Sequence, residues 1–138
     1  MYDLLKGLRV VEGAAFVAGP TCALYLAQMG AEVIRFDAIG GGPDFRRWPI
    51  EPNGASLYWE SLNKGKKSVA LNLSSPEGRE LAQRIATAPG DDGGLFVTNF
   101  PKDGFLSYEA PTYFGMLCAA YGPPPLSETA GRSSRGSR

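Results

Sequence analysis

Leu8-Arg9-Val10-Val11-Glu12 is a β-branched run closed by Gly13, and Glu32-Val33-Ile34-Arg35-Phe36-Asp37 is a second such run. The residues between them have the marks of a helix. Pro20 follows Gly19 where a first helical residue would stand, residues 21–29 carry Ala23, Leu24, Leu26 and Ala27 as a buried face, and Gly30 ends them. Strand, helix and strand joined by short connections make a parallel βαβ unit, because two parallel strands need a crossover to bring the chain back.

The alternation continues. Residues 55–62 form a short helix with Leu57, Tyr58 and Trp59, and residues 68–73 alternate polar and apolar side chains as a strand does. Ser75-Pro76-Glu77 opens another helix with a capping serine, a proline at its first position and an acid in its first turn. It runs to about Thr87, with Leu81 and Ile85 on one face and Glu80 and Arg84 placed to pair on the surface, and Pro89-Gly90 ends it. Residues 94–99 supply a fourth strand. The expected fold is α/β, an open, mostly parallel Rossmann-like sheet of the doubly wound kind.

After Tyr108 the character changes. Ala110-Pro111 interrupts a segment that should be helical, residues 113–121 are apolar without clean periodicity, and Pro123-Pro124-Pro125 leads into a tail of Ser, Gly, Arg, Thr and Ala. Such a tail buries too little apolar surface to order itself. Residues 1–108 are therefore read as the folded segment and 109–138 as a disordered tail.

Composition excludes several classes of function. Lys and Arg number 14 and so do Asp and Glu, a balance that points to no nucleic-acid or polybasic membrane partner. There is no histidine, which removes the commonest general base and metal ligand. Cys22 and Cys118 make neither a zinc site nor a disulfide framework. No apolar run approaches the ~20 residues that span a bilayer. The chain is expected to be reduced, soluble and cytoplasmic, without a metal.

Individual motifs are weak. Gly40-Gly41-Gly42 does not fit G-x-G-x-x-G and reads as a turn, and Gly65-Lys66 lacks the glycine five residues earlier that a P-loop needs, since Glu60 stands there. Asp37 ends its strand where a ribose-binding acid would sit, but the turn at residues 13–19 lacks the matching glycine spacing. Lys64, Lys66 and Lys67 form a compact cationic turn, either a solvated one or a contact for a phosphate. Asp91 and Asp92 read as a solvated turn, and Asp44, Arg46 and Arg47 near Trp48 as braces for a loop.

As a set, several segments resemble the family III CoA-transferases: Gly7-Leu8-Arg9-Val10-Val11-Glu12, Phe16-Val17-Ala18-Gly19-Pro20, and Leu26-Ala27-Gln28-Met29-Gly30-Ala31-Glu32-Val33-Ile34-Arg35. Further on come Asn63-Lys64-Gly65-Lys66-Lys67-Ser68-Val69-Ala70-Leu71-Asn72-Leu73, Pro76-Glu77-Gly78-Arg79 and Thr98-Asn99-Phe100, in the family's order and spacing. The resemblance runs from Leu5 to about Tyr108. Residues 36–49, 88–90, 94–101 and 104–108 are similar to a narrower branch, which moves CoA between the two carboxylates of one dicarboxylate.

The resemblance implies a mechanism. An aspartate attacks an acyl-CoA thioester to give a mixed anhydride and CoA thiolate, the thiolate returns to form an aspartyl-CoA thioester, and the acceptor carboxylate then takes the CoA. It implies an acyl-CoA partner, CoA as a substrate moiety rather than a resident cofactor, and CoA contacts at Val17, Ala18, Leu71, Asn72, Leu73, Asn99, Phe100 and Pro101. Ala38 stands where some members place a CoA-contacting arginine, and Val17 where some place a glutamine.

The family's catalytic aspartate lies beyond the matching region, and Asp37, Asp44, Asp91, Asp92 and Asp103 do not occupy its motif. A shifted reading frame in a GC-rich gene would give a tail of this composition. The chain alone is therefore expected to be inactive and to lack the interlocked family homodimer. The alternatives are a non-catalytic CoA- or nucleotide-binding module, a fragment of an intermolecular acyl-CoA:carboxylate CoA-transferase, and a remnant that does not fold stably.

Overall fold

The computed structural model describes residues 2–87, 93–100 and 105–106. The readings made for Pro89, Gly90, Asp91, Asp92, Pro101, Asp103, Cys118 and the 109–138 tail lie outside these residues. Elements follow in the order β1 (Arg9–Gly13), α1 (Ala18–Gln28), β2 (Glu32–Ala38), α2 (Leu57–Leu62), β3 (Lys67–Leu71), α3 (Pro76–Ala86) and β4 (Gly93–Thr98). The four strands form one parallel sheet in the order β3-β2-β1-β4.

Neighbouring residues along each strand face opposite sides of the sheet, so each strand serves two cores. On one face Val10, Val33 and Val97 pack against Ala23 and Ala27 of α1. On the other, Val11, Phe36, Leu71 and Phe96 pack against Ala82 of α3 and Leu106. The Phe36 and Phe96 rings stack with centroids 6.2 Å apart. Helices on both faces of a parallel sheet make the doubly wound arrangement expected from the sequence.

Three local readings are corrected. Helix α1 starts at Ala18, two residues before Pro20. A proline is tolerated within the first turn because the leading N–H groups have no intrahelical acceptor there anyway. On α3, Leu81 is 46% exposed, while Gly78 and Ala82 are buried and Ile85 packs on the core. Gly78 lies so close to the Asn72 carbonyl that a β-carbon would not fit, and this contact turns the 78/82/85 face inward. Glu80 and Arg84 do not pair with each other within 4.0 Å, and both stay exposed.

Candidate functional site

The strand order places a crevice. From β1 the chain moves through β2 to β3, then returns across the sheet to put β4 on the other side of β1. The connections leaving β1 and β4 at their carboxyl ends therefore diverge, and such a switch point is where open α/β sheets bind ligands. Gly13 pairs in register with Thr98, so Ala15–Val17 and Asn99–Phe100 emerge side by side at this point.

Asn99 ties the two connections together. Its Oδ1 accepts the Ala15 N–H at 3.0 Å, and its Nδ2 donates to the Ala15 carbonyl at 2.7 Å. The next residue, Phe16, has φ +65°, a left-handed conformation that costs a bulky side chain about 1–2 kcal/mol. The Phe16 N–H donates to Oδ2 of Asp44 at 3.0 Å. Beyond it, α1 begins with Val17 as its cap and with neither a capping side chain nor an acid in the first turn. The N–H groups of Ala18 and Gly19 thus lack intrahelical acceptors at the positive end of the helix dipole, a setting that favours an anionic ligand group.

Asp44 belongs to a buried charge cluster beneath this loop. Arg35 donates from Nη1 to Glu12 at 2.8 Å and, through Nε and Nη2, to Asp37 at 2.7 and 2.8 Å. Its Nη2 lies 3.8 Å from Asp44 Oδ1, which has no hydrogen-bond partner among the described residues. Lys66 Nζ donates to Glu12 at 2.7 Å, to the Pro20 carbonyl in the first turn of α1 at 2.9 Å, and to Asn63 at 3.3 Å.

Burial pushes the Glu12 carboxyl above its ordinary value of 4.5, against the opposing pull of Lys66 and Arg35. Burial likewise lowers Lys66, against the pull of Glu12. Arg35 is held in its charged form: burial disfavours the charge, but the Asp37 hydrogen bond with the charges of Glu12, Asp37 and Asp44 outweighs that effect.

The sequence-derived site residues divide into groups. Val17 and Ala18 are exposed at the crevice, with Asn99 and Phe100 half-buried beside them. The second Nδ2 hydrogen of Asn99 has no acceptor among the described residues. Leu71, Asn72 and Leu73 lie at the end of β3, across β2 and β1 from β4, roughly 14 Å away at three strand spacings. Leu71 belongs to the core and Leu73 packs on it, while Asn72 Oδ1 accepts the Ser74 N–H at 3.2 Å. Of the three, only Asn72 is exposed, so what this segment shows at the surface is the Asn72 amide and the loop backbone. Pro101 lies outside the described residues.

The cationic turn is not the compact cluster that its spacing suggested. Lys66 is buried on Glu12 and Lys67 pairs with Glu32, which leaves Lys64 exposed without an ion pair among the described residues. Alternation along the turn decides this, since Lys66 points under α1 just before β3 begins. The Gly40 turn is closed by the Gly41 N–H on the Ala38 carbonyl, and in the loop that follows, Asp44 holds Phe16 while Arg47 lies against Phe16 and Tyr58. Between this turn, Trp59 and the exposed Ser68 and Ala70 of β3 lies a cavity of about 350 Å³ that Arg46 also lines.

Sequence reading missed the Glu12–Arg35–Lys66 cluster and the hold of Asp44 on Phe16. The available signal was charge at Glu12 and Arg35, inside otherwise apolar strands. Among the described residues no group of His, Cys, Asp and Glu is placed to hold a metal ion.

Residues 5–89 match the sequence model of CoA-transferase family III. Over 110 residues the chain is 56% identical to the 2-methylfumaryl-CoA isomerase of Chloroflexus aurantiacus, covering 79% of this chain and 27% of that protein. It is 42% identical over 82 residues to the succinyl-CoA–D-citramalate CoA-transferase of the same organism, covering 59% of this chain and 20% of that one. The crystal structure of a CAIB/BAIF family protein from Brucella suis superposes with a TM-score of 0.59 at 35% identity, covering 70% of this chain and 25% of that one. The chain thus spans about a quarter of the length of the relatives it matches. With the doubly wound sheet, the switch-point crevice and this match, the chain belongs to CoA-transferase family III.

Proposed function

We propose that this chain carries the CoA-binding wall of a family III CoA-transferase most like 2-methylfumaryl-CoA isomerase, with Val17, Ala18, Leu71, Asn72, Leu73, Asn99, Phe100 and Pro101 along the path of CoA. The observation that carries this reading is the switch point. Loops from β1 and β4 are clamped together by Asn99 there, beside a helix N-terminus that has neither a capping side chain nor an acid in its first turn. An extended, anionic, nucleotide-bearing thiol suits a path that starts at this N-terminus and crosses the sheet toward the end of β3. Lys64, which has no ion pair among the described residues, adds beside β3 a cation suited to a phosphate on that path.

The transfer reaction needs a carboxylate aimed at a thioester in a water-excluded cleft, because an anhydride open to water would hydrolyse. Among the described residues, Asp37 is committed to Arg35 and Asp44 to the Phe16 N–H. On this reading the chain alone binds CoA and does not turn over 2-methylfumaryl-CoA.

The test is titration of the 138-residue chain with CoA while its thermal unfolding is followed. A ligand of the folded state at a hundredfold excess over its Kd stabilises by about 2.7 kcal/mol, so the midpoint should climb steadily with CoA. A midpoint that stays fixed at millimolar CoA overturns the reading. Incubation with 2-methylfumaryl-CoA separates binding alone from catalysis, since regioisomer formed above a no-protein control would mean that a nucleophile is present.

A further inference from the structure

We propose that Asp44 is a positioning residue for the CoA-binding loop, holding Phe16 in its left-handed conformation so that Val17 and Ala18 present their backbone to the ligand. The inference rests on the CoA reading above and adds a residue outside the crevice to it. A bulky residue at φ +65° persists only where its surroundings over-determine it, and such positions gather at ligand sites.

Three contacts do so here. Asn99 fixes Ala15 on one side through two hydrogen bonds. Asp44 takes the Phe16 N–H itself. The Arg47 guanidinium lies 6.0 Å from the Phe16 ring centroid and 4.6 Å from that of Tyr58, placing the ring against the same loop that carries Asp44.

The glycine-rich turn makes this possible. A β-carbon on Gly42 would sit 3.1 Å from Asp37 Oδ1 and 3.2 Å from Asp44 Oδ1, so any side chain there would crowd both carboxylates and ask one of them to give way slightly. Asp44 is only 1% exposed, yet it reaches Phe16 from 28 positions away in sequence.

Its role is separable from general stability. The buried cluster holds three carboxylates, Glu12, Asp37 and Asp44, against two cations, Arg35 and Lys66. Removing Asp44 leaves two against two, so no buried cation loses its last partner. The cores that hold α1 and α3 to the sheet do not include the 40–47 loop. What Asp44 alone secures is the Phe16 peptide.

The experiment compares CoA affinity by calorimetry in the 138-residue chain with its Asp44→Ala and Phe16→Gly variants and the double variant, using Ile85→Ala as a stability control on the far face of the sheet. Once freed of Asp44, Phe16 should spend roughly a tenth of its time in the competent geometry, weakening CoA about tenfold. Ile85→Ala should keep the unaltered affinity at a comparable loss of melting temperature. Glycine adopts positive φ without strain, so Asp44→Ala should cost much less affinity in the Phe16→Gly background. A merely structural role predicts the same loss in both.

CoA binding by the unaltered chain with undiminished affinity in Asp44→Ala overturns this inference alone, as does affinity that tracks melting temperature across all variants. No CoA binding by the unaltered chain overturns the CoA reading and this inference with it. Should Asp44→Ala fail to fold, Gly42→Ala crowds the same carboxylate; a weakening of about threefold supports the inference, and unchanged affinity overturns it.

Discussion

Truncating Asn99 to alanine tests the clamp at the switch point most directly. Its amide satisfies both polar groups of the Ala15 peptide, at 3.0 and 2.7 Å. Ala15 is only 6% exposed, so water reaches neither group easily once the amide is gone. An orphaned buried donor or acceptor costs about 1–3 kcal/mol, which puts Asn99→Ala, with two orphaned, at roughly 2–6 kcal/mol. In a domain of this size that corresponds to a fall in melting temperature on the order of 10–30 °C.

Differential scanning calorimetry measures this fall, and the Asn99→Asp variant adds a signature of mechanism. The introduced carboxylate could still accept the Ala15 N–H, but its second oxygen would face the Ala15 carbonyl unless it carried a proton. The folded state would then hold that proton more tightly than the unfolded chain does. The stabilisation is therefore present at low pH and is lost as pH rises through the raised folded value. Asn99→Asp should recover toward the unaltered chain on acidification, whereas Asn99→Ala should not. A loss below about 0.5 kcal/mol in Asn99→Ala, or an Asn99→Asp variant indifferent to acid, would refute the clamp, since surface changes of no consequence fall within that range.

Two further outcomes follow from local geometry. Ser75 Oγ accepts the Gly78 N–H at 3.1 Å as the cap of α3, so Ser75→Ala should lose about 1 kcal/mol by denaturant titration, with Ser75→Asp retaining most of it. Because burial raises the folded pKa of Glu12 above 4.5, its contribution is fully present below that value and lost as pH rises through the raised one; Glu12→Gln, which resembles the protonated acid, should gain stability relative to the unaltered chain as pH increases, and a relative loss would mean that pairing with Lys66 and Arg35 outweighs burial.

The elements were legible in the sequence because their signals are local. Ser75-Pro76-Glu77 announces α3 through its cap, its proline and its acid, all within one turn. The two β-branched runs around α1 announce a parallel pair because the connection is too long for a hairpin and right for a crossover. What escaped reading depends on register between distant segments. Glu12 pairs in register with Arg35 across β1 and β2, and only that alignment turns two isolated charges into a buried ion pair. The lysine turn failed for a similar reason: spacing shows three cations close together, but not that the middle one points under α1. The hold of Asp44 on Phe16 has no local trace, since neither residue departs from ordinary loop composition.

The buried charges also explain how a crevice built from loops holds its shape. An apolar core is non-directional and fixes layers better than it fixes individual peptide groups. Replacing a buried ion cluster by hydrocarbon of equal volume is often neutral or stabilising, so stability alone is a weak reason to keep one. Here the polar groups of the cluster also reach outward to named backbone atoms. Lys66 holds the Pro20 carbonyl in the first turn of α1, Asp44 holds the Phe16 N–H, and Asn63, which accepts from both cations, donates to the Trp59 carbonyl of α2. These bonds run from the centre of the sheet to the loop, the helix start and the second helix that border the crevice. Hydrocarbon could fill the same space, but it would leave the Phe16 N–H and the Pro20 carbonyl without these partners.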